Sequence, residues 1–207
     1  MFDQRARPHV AQLLGPLGHG PLARFSPLII TAAGLAVGLA AAGAAAFGWW
    51  LFSLVLWWLN RLLDGIDGLV ARTTDRASDI GGYLDMCADV IVYAALPLGV
   101  AVGHDQRSVW IATAFLIASF YVNIVAWSYL SALLEKRQAG TASFGEATSV
   151  TMPRGLVEGA ETIVLLSLIV AVPRFTVWTM SLMAGAVAVS AVLHIVSGVK
   201  SLAAADE

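Results

Sequence analysis

Residues 60–89 read NRLLDGIDGLVARTTDRASDIGGYLDMCAD, and six of the chain's 14 acidic residues lie there: Asp64, Asp67, Asp75, Asp79, Asp85 and Asp89. The stretch is flanked by WWLFSLVLWWL (49–59) and VIVYAALPLGVAV (90–102), so the acids sit where two apolar segments meet. Asp64 and Asp67 are three residues apart and Asp85 and Asp89 four apart, spacings that put each pair on one face of a helix. The 68–80 connection then predicts two antiparallel neighbouring helices, with four carboxylates converging on one point.

Composition fixes the surroundings of that helix pair. Of 207 residues, 58% are hydrophobic and 13% charged, and the mean hydropathy is +0.78. Charged residues make up roughly a quarter of a soluble domain, so the chain reads as an integral membrane protein. Its 9% aromatic residues and 19 glycines fit helical spans rather than the alternating strands of a barrel. A single cysteine, Cys87, excludes an internal disulfide, and a net charge of −2 offers no footprint for nucleic acid.

The fold class expected is all-α, a polytopic bundle of six transmembrane helices, each close to the roughly 20 residues that cross a bilayer. The spans are Leu28–Phe47, Trp49–Asp67, Ile80–Val102, Val109–Leu134, Leu156–Val172 and Phe175–Val199. Gly34 and Gly38, at GxxxG spacing among alanines, mark a packing surface of the first span. In the first 27 residues, Val10, Leu13, Leu14 and Leu17 follow helical spacing and predict a short amphipathic helix on the membrane surface, ahead of Pro21 and Pro27. This segment lacks the short apolar core and cleavage site of a signal peptide. No linker or repeat divides the chain, so residues 1–207 read as a single domain, with 1–27 juxtamembrane and 28–199 forming the bundle.

Basic residues accumulate on the cytoplasmic side of membrane proteins. Arg5, Arg7, Arg24, Arg61, Arg72, Arg76, Lys136, Arg137, Arg154 and Lys200 map to one face, and Arg107 and Arg174 to the other. Six spans then place both termini and the 68–80 and 135–155 loops in the cytoplasm. At 1.5 Å per residue, Asp64 lies about 22 Å along its helix from Trp49, near the inner boundary of the hydrocarbon.

Four carboxylates brought together repel one another, and ionisable groups inside spans are costly enough to be functional by default. A divalent cation, or two, resolves the repulsion. None of His9, His19, His104 and His194 lies in the cluster. A hard, all-oxygen set points to Mg²⁺, Mn²⁺ or Ca²⁺ rather than zinc. Magnesium commonly shares its coordination between carboxylates and substrate phosphates, which predicts a diphosphate-bearing substrate. Gly65, Gly68, Gly81 and Gly82 leave backbone open to a ligand, and Arg72 offers a planar cation for a phosphate. Asp75 and Asp79 read as solvated loop charges beside Arg76. Asp64 and Asp67 do not read that way, because at the end of their span the helix dipole disfavours them.

The pattern resembles the signature of the CDP-alcohol phosphotransferase family: DGIDGLVAR from Asp64 to Arg72, eight residues, then GGYLDMCAD from Gly81 to Asp89. Every signature position is matched. Ser26-Pro27 resembles the family's Ser/Thr-Pro-Asn segment, with Leu28 where asparagine is usual. The resemblance implies attack of an alcohol on a phosphorus of a CDP-linked substrate, with release of CMP. It implies Asp64, Asp67, Asp85 and Asp89 as ligands of two Mg²⁺ or Mn²⁺ ions, with Asp89 also the general base on the acceptor hydroxyl. Gly68, Ala71 and Gly81, with Arg72, would border the cytidine and diphosphate. The implied partners are CDP-diacylglycerol or another CDP-alcohol, a small polar alcohol, membrane lipid and, as the candidate assembly, a homodimer.

Lys136, Arg137 and Arg154 are candidate contacts for a phosphorylated acceptor, although Arg154 could equally pair with Glu158 one turn on. The leading function is thus a phospholipid-synthesising transferase acting on CDP-diacylglycerol. The alternatives are CDP-choline- or CDP-ethanolamine-type transfer to diacylglycerol, an intramembrane prenyltransferase that would release inorganic diphosphate, and a cation transporter that would need carboxylates open to both sides.

Overall fold

The structure is a computed structural model and describes residues 24–136 and 159–204. Among them are six α-helices and no strand. These are α1 (Pro27–Ala46), α2 (Trp50–Thr73), α3 (Asp79–His104), α4 (Arg107–Lys136), α5 (Gly159–Ala171) and α6 (Thr176–Ala204), with a 3-10 turn at Pro173–Phe175. The all-α expectation holds. Four segments are long and apolar enough to cross a membrane: α1, α3, α4 and Pro173–Ala203, which contains α6. α2 has the length, but Asn60, Arg61, Asp64, Asp67 and Arg72 interrupt its apolar run, and α5 has 13 described residues. The expected amphipathic helix around Val10–Leu17 and the start of the Leu156–Val172 span lie outside the described residues.

The chain divides into two compact units. The first holds described residues 24–110 and 159–176, and the second 111–136 and 177–204. In the first unit α1 is the common partner. Both α2 and α3 pack along it, whereas the backbones of α2 and α3 scarcely approach each other. α2 and α3 are thus neighbours through their side chains rather than their backbones, and the reason is side-chain size. A Cβ at Gly99 would overlap the Ala42 carbonyl, and one at Gly103 the Ala45 carbonyl, so α3 lies backbone against backbone on α1 there. Gly34 and Gly38 face Leu63, Asn60 and Val92, which bears out their packing role. Between α2 and α3, by contrast, stand Trp57, Tyr93 and Arg61, with the two aromatic rings 6.1 Å apart. These large side chains hold the helices apart just beyond the carboxylates.

Polar clasps fix these helices where no water is at hand. Ser53 Oγ donates to the Ala41 carbonyl at 2.8 Å, and Trp57 Nε1 donates to Ser167 Oγ of α5 at 2.9 Å. At the far end of α3, the His104 ring nitrogens lie 3.0 Å from the Val100 and Pro173 carbonyls, with the ring against Trp50. α1 begins with Ser26 as N-cap and Pro27 in its first turn, where a missing N–H costs nothing. It turns into α2 through Gly48, whose φ of +73° suits glycine.

The α2–α3 connection is only residues 74–78. Gly68, Ala71 and Arg72, expected in a loop, therefore sit on α2, because the LVAR run continues the helix past the apolar boundary. Ser78 caps α3 by accepting from the Gly81 N–H at 3.1 Å, and Asp79 occupies the first turn, where its charge suits the helix dipole.

In the second unit, Thr113 Oγ1 lies 3.3 Å from Met180 Sδ, joining α4 to α6, and Gly198 lets α6 approach Leu130. Leu116, Met180 and Met183 are fully buried.

Candidate active site

A cavity of the first unit gathers residues from three helices. α2 contributes Asp64 and Asp67, and α3 contributes Asp85 and Asp89, so all four expected carboxylates line one space. α1 closes it with Thr31, Gly34 and Leu35. The five-residue α2–α3 connection brings the two acid pairs to the same end of their helices.

Asp67 is buried at 4% exposure, and Asp64, Asp85 and Asp89 are half-buried. Thr31 Oγ1 lies 2.6 Å from Asp67 Oδ2 and 3.1 Å from the Pro27 carbonyl. A hydroxyl has one proton to give, and the closer, charged acceptor makes the stronger bond. α1 thus reaches across to orient the most buried carboxylate.

Arg61 faces the α3 carboxylates. Its Nη2 donates to Asp89 Oδ1 at 2.8 Å, and its Nη1 lies 3.7 Å from Asp64 Oδ2. Asn60 and Tyr93 also bind it, and both Asn60 and Arg61 line the cavity. An unpaired charge at this depth would cost several kcal/mol, so the Asp89 pair is what makes a buried arginine tolerable here.

The donor set suits a hard divalent cation: four carboxylates, with no histidine or cysteine among the lining residues. Among the described residues, however, no three of these side chains are drawn into a closed metal cage. Arg61 instead stands against Asp64 and Asp89.

The other expected residues are placed differently. Gly68, Ala71, Arg72 and Gly81 do not line this cavity. Arg72 is exposed and folds back over Gly68, where a Cβ would lie 3.1 Å from its Nη1. Lys136 is exposed in the last turn of α4, and Arg137 and Arg154 lie outside the described residues. Asp75 and Asp79 are exposed, in keeping with solvated charges.

Two readings from the sequence need correction. α2 runs on to Thr73, leaving Asp64 and Asp67 more than a turn inside the helix, so the dipole argument against them does not hold. It is burial that sets Asp67 apart. Arg61, counted as a charge of the cytoplasmic face, is 8% exposed and turned into the site. A cation one helical turn ahead of the first aspartate, inside an apolar run, was the available signal for that role. Thr31 carried no such signal, since only the folded chain brings it to Asp67.

Residues 24–196 match the CDP-alcohol phosphatidyltransferase domain. The chain is 34% identical over 141 residues to the inner membrane protein YnjF of Escherichia coli, covering 68% of this chain and 67% of the relative. It is 34% identical over 90 residues to an archaetidylinositol phosphate synthase of Pyrococcus horikoshii, covering 43% of this chain and 44% of the relative. Its fold resembles the phosphatidylinositol phosphate synthase PgsA1 of Mycobacterium tuberculosis, solved with CDP-DAG bound. The TM-score is 0.72 at 23% identity, over 91% of this chain and 94% of that one. The same enzyme in complex with manganese and citrate gives a TM-score of 0.66 at 22% identity, over 91% and 87%. With its apolar helices and the four aspartates of the signature gathered on one cavity, the chain belongs to the CDP-alcohol phosphatidyltransferase family and is an integral membrane transferase of phospholipid biosynthesis.

Proposed function

We propose that this enzyme moves the phosphatidyl group of CDP-diacylglycerol to a small polar alcohol and releases CMP, with Mg²⁺ or Mn²⁺ bound at Asp64, Asp67, Asp85 and Asp89. One observation carries the reading: four carboxylates from two successive helices line a single cavity that contains no softer ligand. The CDP-DAG and manganese complexes of PgsA1 are further support. Bound divalent ions would offset the charge of the diphosphate and of the departing CMP.

The chain's own residues supply the rest. Thr31 fixes Asp67, and Arg61 fixes Asp89 at one oxygen. Asp89 takes the proton of the acceptor hydroxyl as its oxygen bonds to the β-phosphorus, the one carrying diacylglycerol, and as the bond from that phosphorus to the CMP oxygen breaks. Gly68, Ala71, Arg72 and Gly81, flanking the aspartates in sequence, accommodate the cytidine and diphosphate. Lys136, Arg137 and Arg154 are the candidates for the acceptor. Two relatives are named for making archaetidylinositol phosphate, so an inositol phosphate is the first acceptor to try.

Purified enzyme given CDP-diacylglycerol, Mn²⁺ and a panel of acceptors is expected to release CMP and form a lipid whose mass identifies the acceptor, and a chelator is expected to stop both. No CMP from CDP-diacylglycerol, but CMP from CDP-choline or CDP-ethanolamine with diacylglycerol, would reverse the donor assignment.

In the bilayer we place six spans, α2 and α5 included, with both termini and the carboxylates on the cytoplasmic side. That orientation rests on the basic residues of one face. Tags at either end of the chain should resist protease added outside intact cells and be cut after lysis. Cleavage of either tag in intact cells would overturn the topology.

A further inference from the structure

The carboxylate cavity already has a cation built into it. Besides its bonds to Asp89 and Asp64, Arg61 donates from Nε and Nη2 to Asn60 Oδ1 at 2.9 and 2.7 Å, and from Nη1 to the Tyr93 hydroxyl at 3.0 Å. Its guanidinium lies 4.8 Å from the centre of the Trp57 ring and 5.1 Å from that of Tyr93. Asn60 is itself anchored, donating from Nδ2 to the Gly34 carbonyl at 2.8 Å. An arginine held by hydrogen bonds and by two aromatic faces does not swing aside at small cost, and its charge is permanent at physiological pH.

We propose that Arg61 is the resident counter-cation of the site: it positions Asp89 and competes with divalent ions for Asp64 and Asp89. The inference rests on the divalent-metal reading above. With a guanidinium on Asp89 Oδ1 and close to Asp64, the cluster presents less negative charge to an incoming ion, and part of its ligand capacity is already engaged. A diphosphate brings fresh negative charge and oxygen ligands of its own. Metal and nucleotide therefore enter the site together, and the site without nucleotide binds metal weakly for its number of carboxylates.

The test is Mn²⁺ binding to the full-length, detergent-purified chain without nucleotide, measured by calorimetry and by the loss of the free-ion paramagnetic signal. Arg61→Met and Arg61→Gln remove the charge, while Arg61→Lys keeps it. The two neutral variants are expected to bind Mn²⁺ about tenfold more tightly than the unaltered chain, the scale of one lost charged contact. Arg61→Lys should stay within roughly twofold of the unaltered chain, because the ammonium preserves the charge though not the fork. Damage to the fold can only weaken binding, so a gain in affinity separates this role from a structural one. Should the neutral variants be unstable, Mn²⁺ should still raise their thermal midpoints by more than it raises that of the unaltered chain.

Neutral variants that bind Mn²⁺ no better than the unaltered chain, and gain no more thermal stability from it, would overturn the role of Arg61 while leaving the metal site standing. Failure of every chain to bind Mn²⁺, even with CDP-diacylglycerol present, would remove the metal site itself and this role with it.

Discussion

Asp89→Asn is expected to lower CMP release by about 10²- to 10⁴-fold, the range lost when a positioned general base is removed. The substitution keeps the size of the side chain and leaves an amide oxygen where Asp89 Oδ1 accepts from Arg61 at 2.8 Å, so the local packing persists. What disappears is the group that can take the acceptor's proton. Binding of CDP-diacylglycerol in the presence of Mn²⁺ should therefore weaken far less than turnover falls.

Asp67→Asn provides the contrast. Asp67 is the most buried of the four carboxylates and is bound by Thr31 from another helix, which marks it as a fixed ligand rather than a proton carrier. Its neutral variant should lose Mn²⁺ affinity and substrate affinity along with turnover. Calorimetry of Mn²⁺ and CDP-diacylglycerol binding, set beside the rate of CMP release, distinguishes the two. Equal losses of binding and turnover in both variants would dismiss the separate assignment of Asp89, and unaltered activity in either would take that residue out of the site.

The acid pairs were legible before the structure because their signal is local: three- and four-residue spacings put side chains on one face whatever the rest of the chain does. The helical character of the chain and four of its apolar spans are legible for the same reason. What could not be read was which helices lie against which. A short connection suggests helices in direct contact, yet α2 and α3 both pack on α1, where the glycines of α3 meet the alanines of α1 and Gly38 of α1 makes room for Asn60 and Val92. The opening left between α2 and α3 is the cavity. Its lining follows from that packing, which is why Thr31, 36 residues from Asp67 in sequence, went unnoticed.

The role of Arg61 is hidden from the sequence for a different reason. Counting cations by face treats each as a solvated charge, whereas this one packs against both Trp57 and Tyr93, whose approach depends on tertiary structure. The end of α2 was misplaced because hydropathy reports where a segment leaves the apolar phase, and a helix continues as long as its residues favour it. Thr73 is the last helical residue, six beyond the Asp67 at which the span is expected to end.

The second large effect concerns the contact that sets the site's frame. Gly99→Val should destabilise the protein by about 3 kcal/mol or more, at the upper end of what overpacking costs, because the obstacle is backbone. A Cβ at this position would overlap the Ala42 carbonyl oxygen and crowd its carbon, and no rotamer change relieves that contact. Either α1 and α3 separate along their length or the helix distorts. Both outcomes shift Asp85 and Asp89 on α3 away from Thr31 on α1, so any fraction that folds should also turn over slowly. Gly43→Ala is the matching control on α1, for a Cβ there meets nothing within 4 Å and alanine favours the helix. Thermal unfolding in detergent, followed by loss of a monodisperse peak, should show a large drop for Gly99→Val and little change for Gly43→Ala. A Gly99→Val protein as stable as the unaltered chain would mean that α3 does not lie backbone against backbone on α1, and the cavity built on that contact would have to be drawn again.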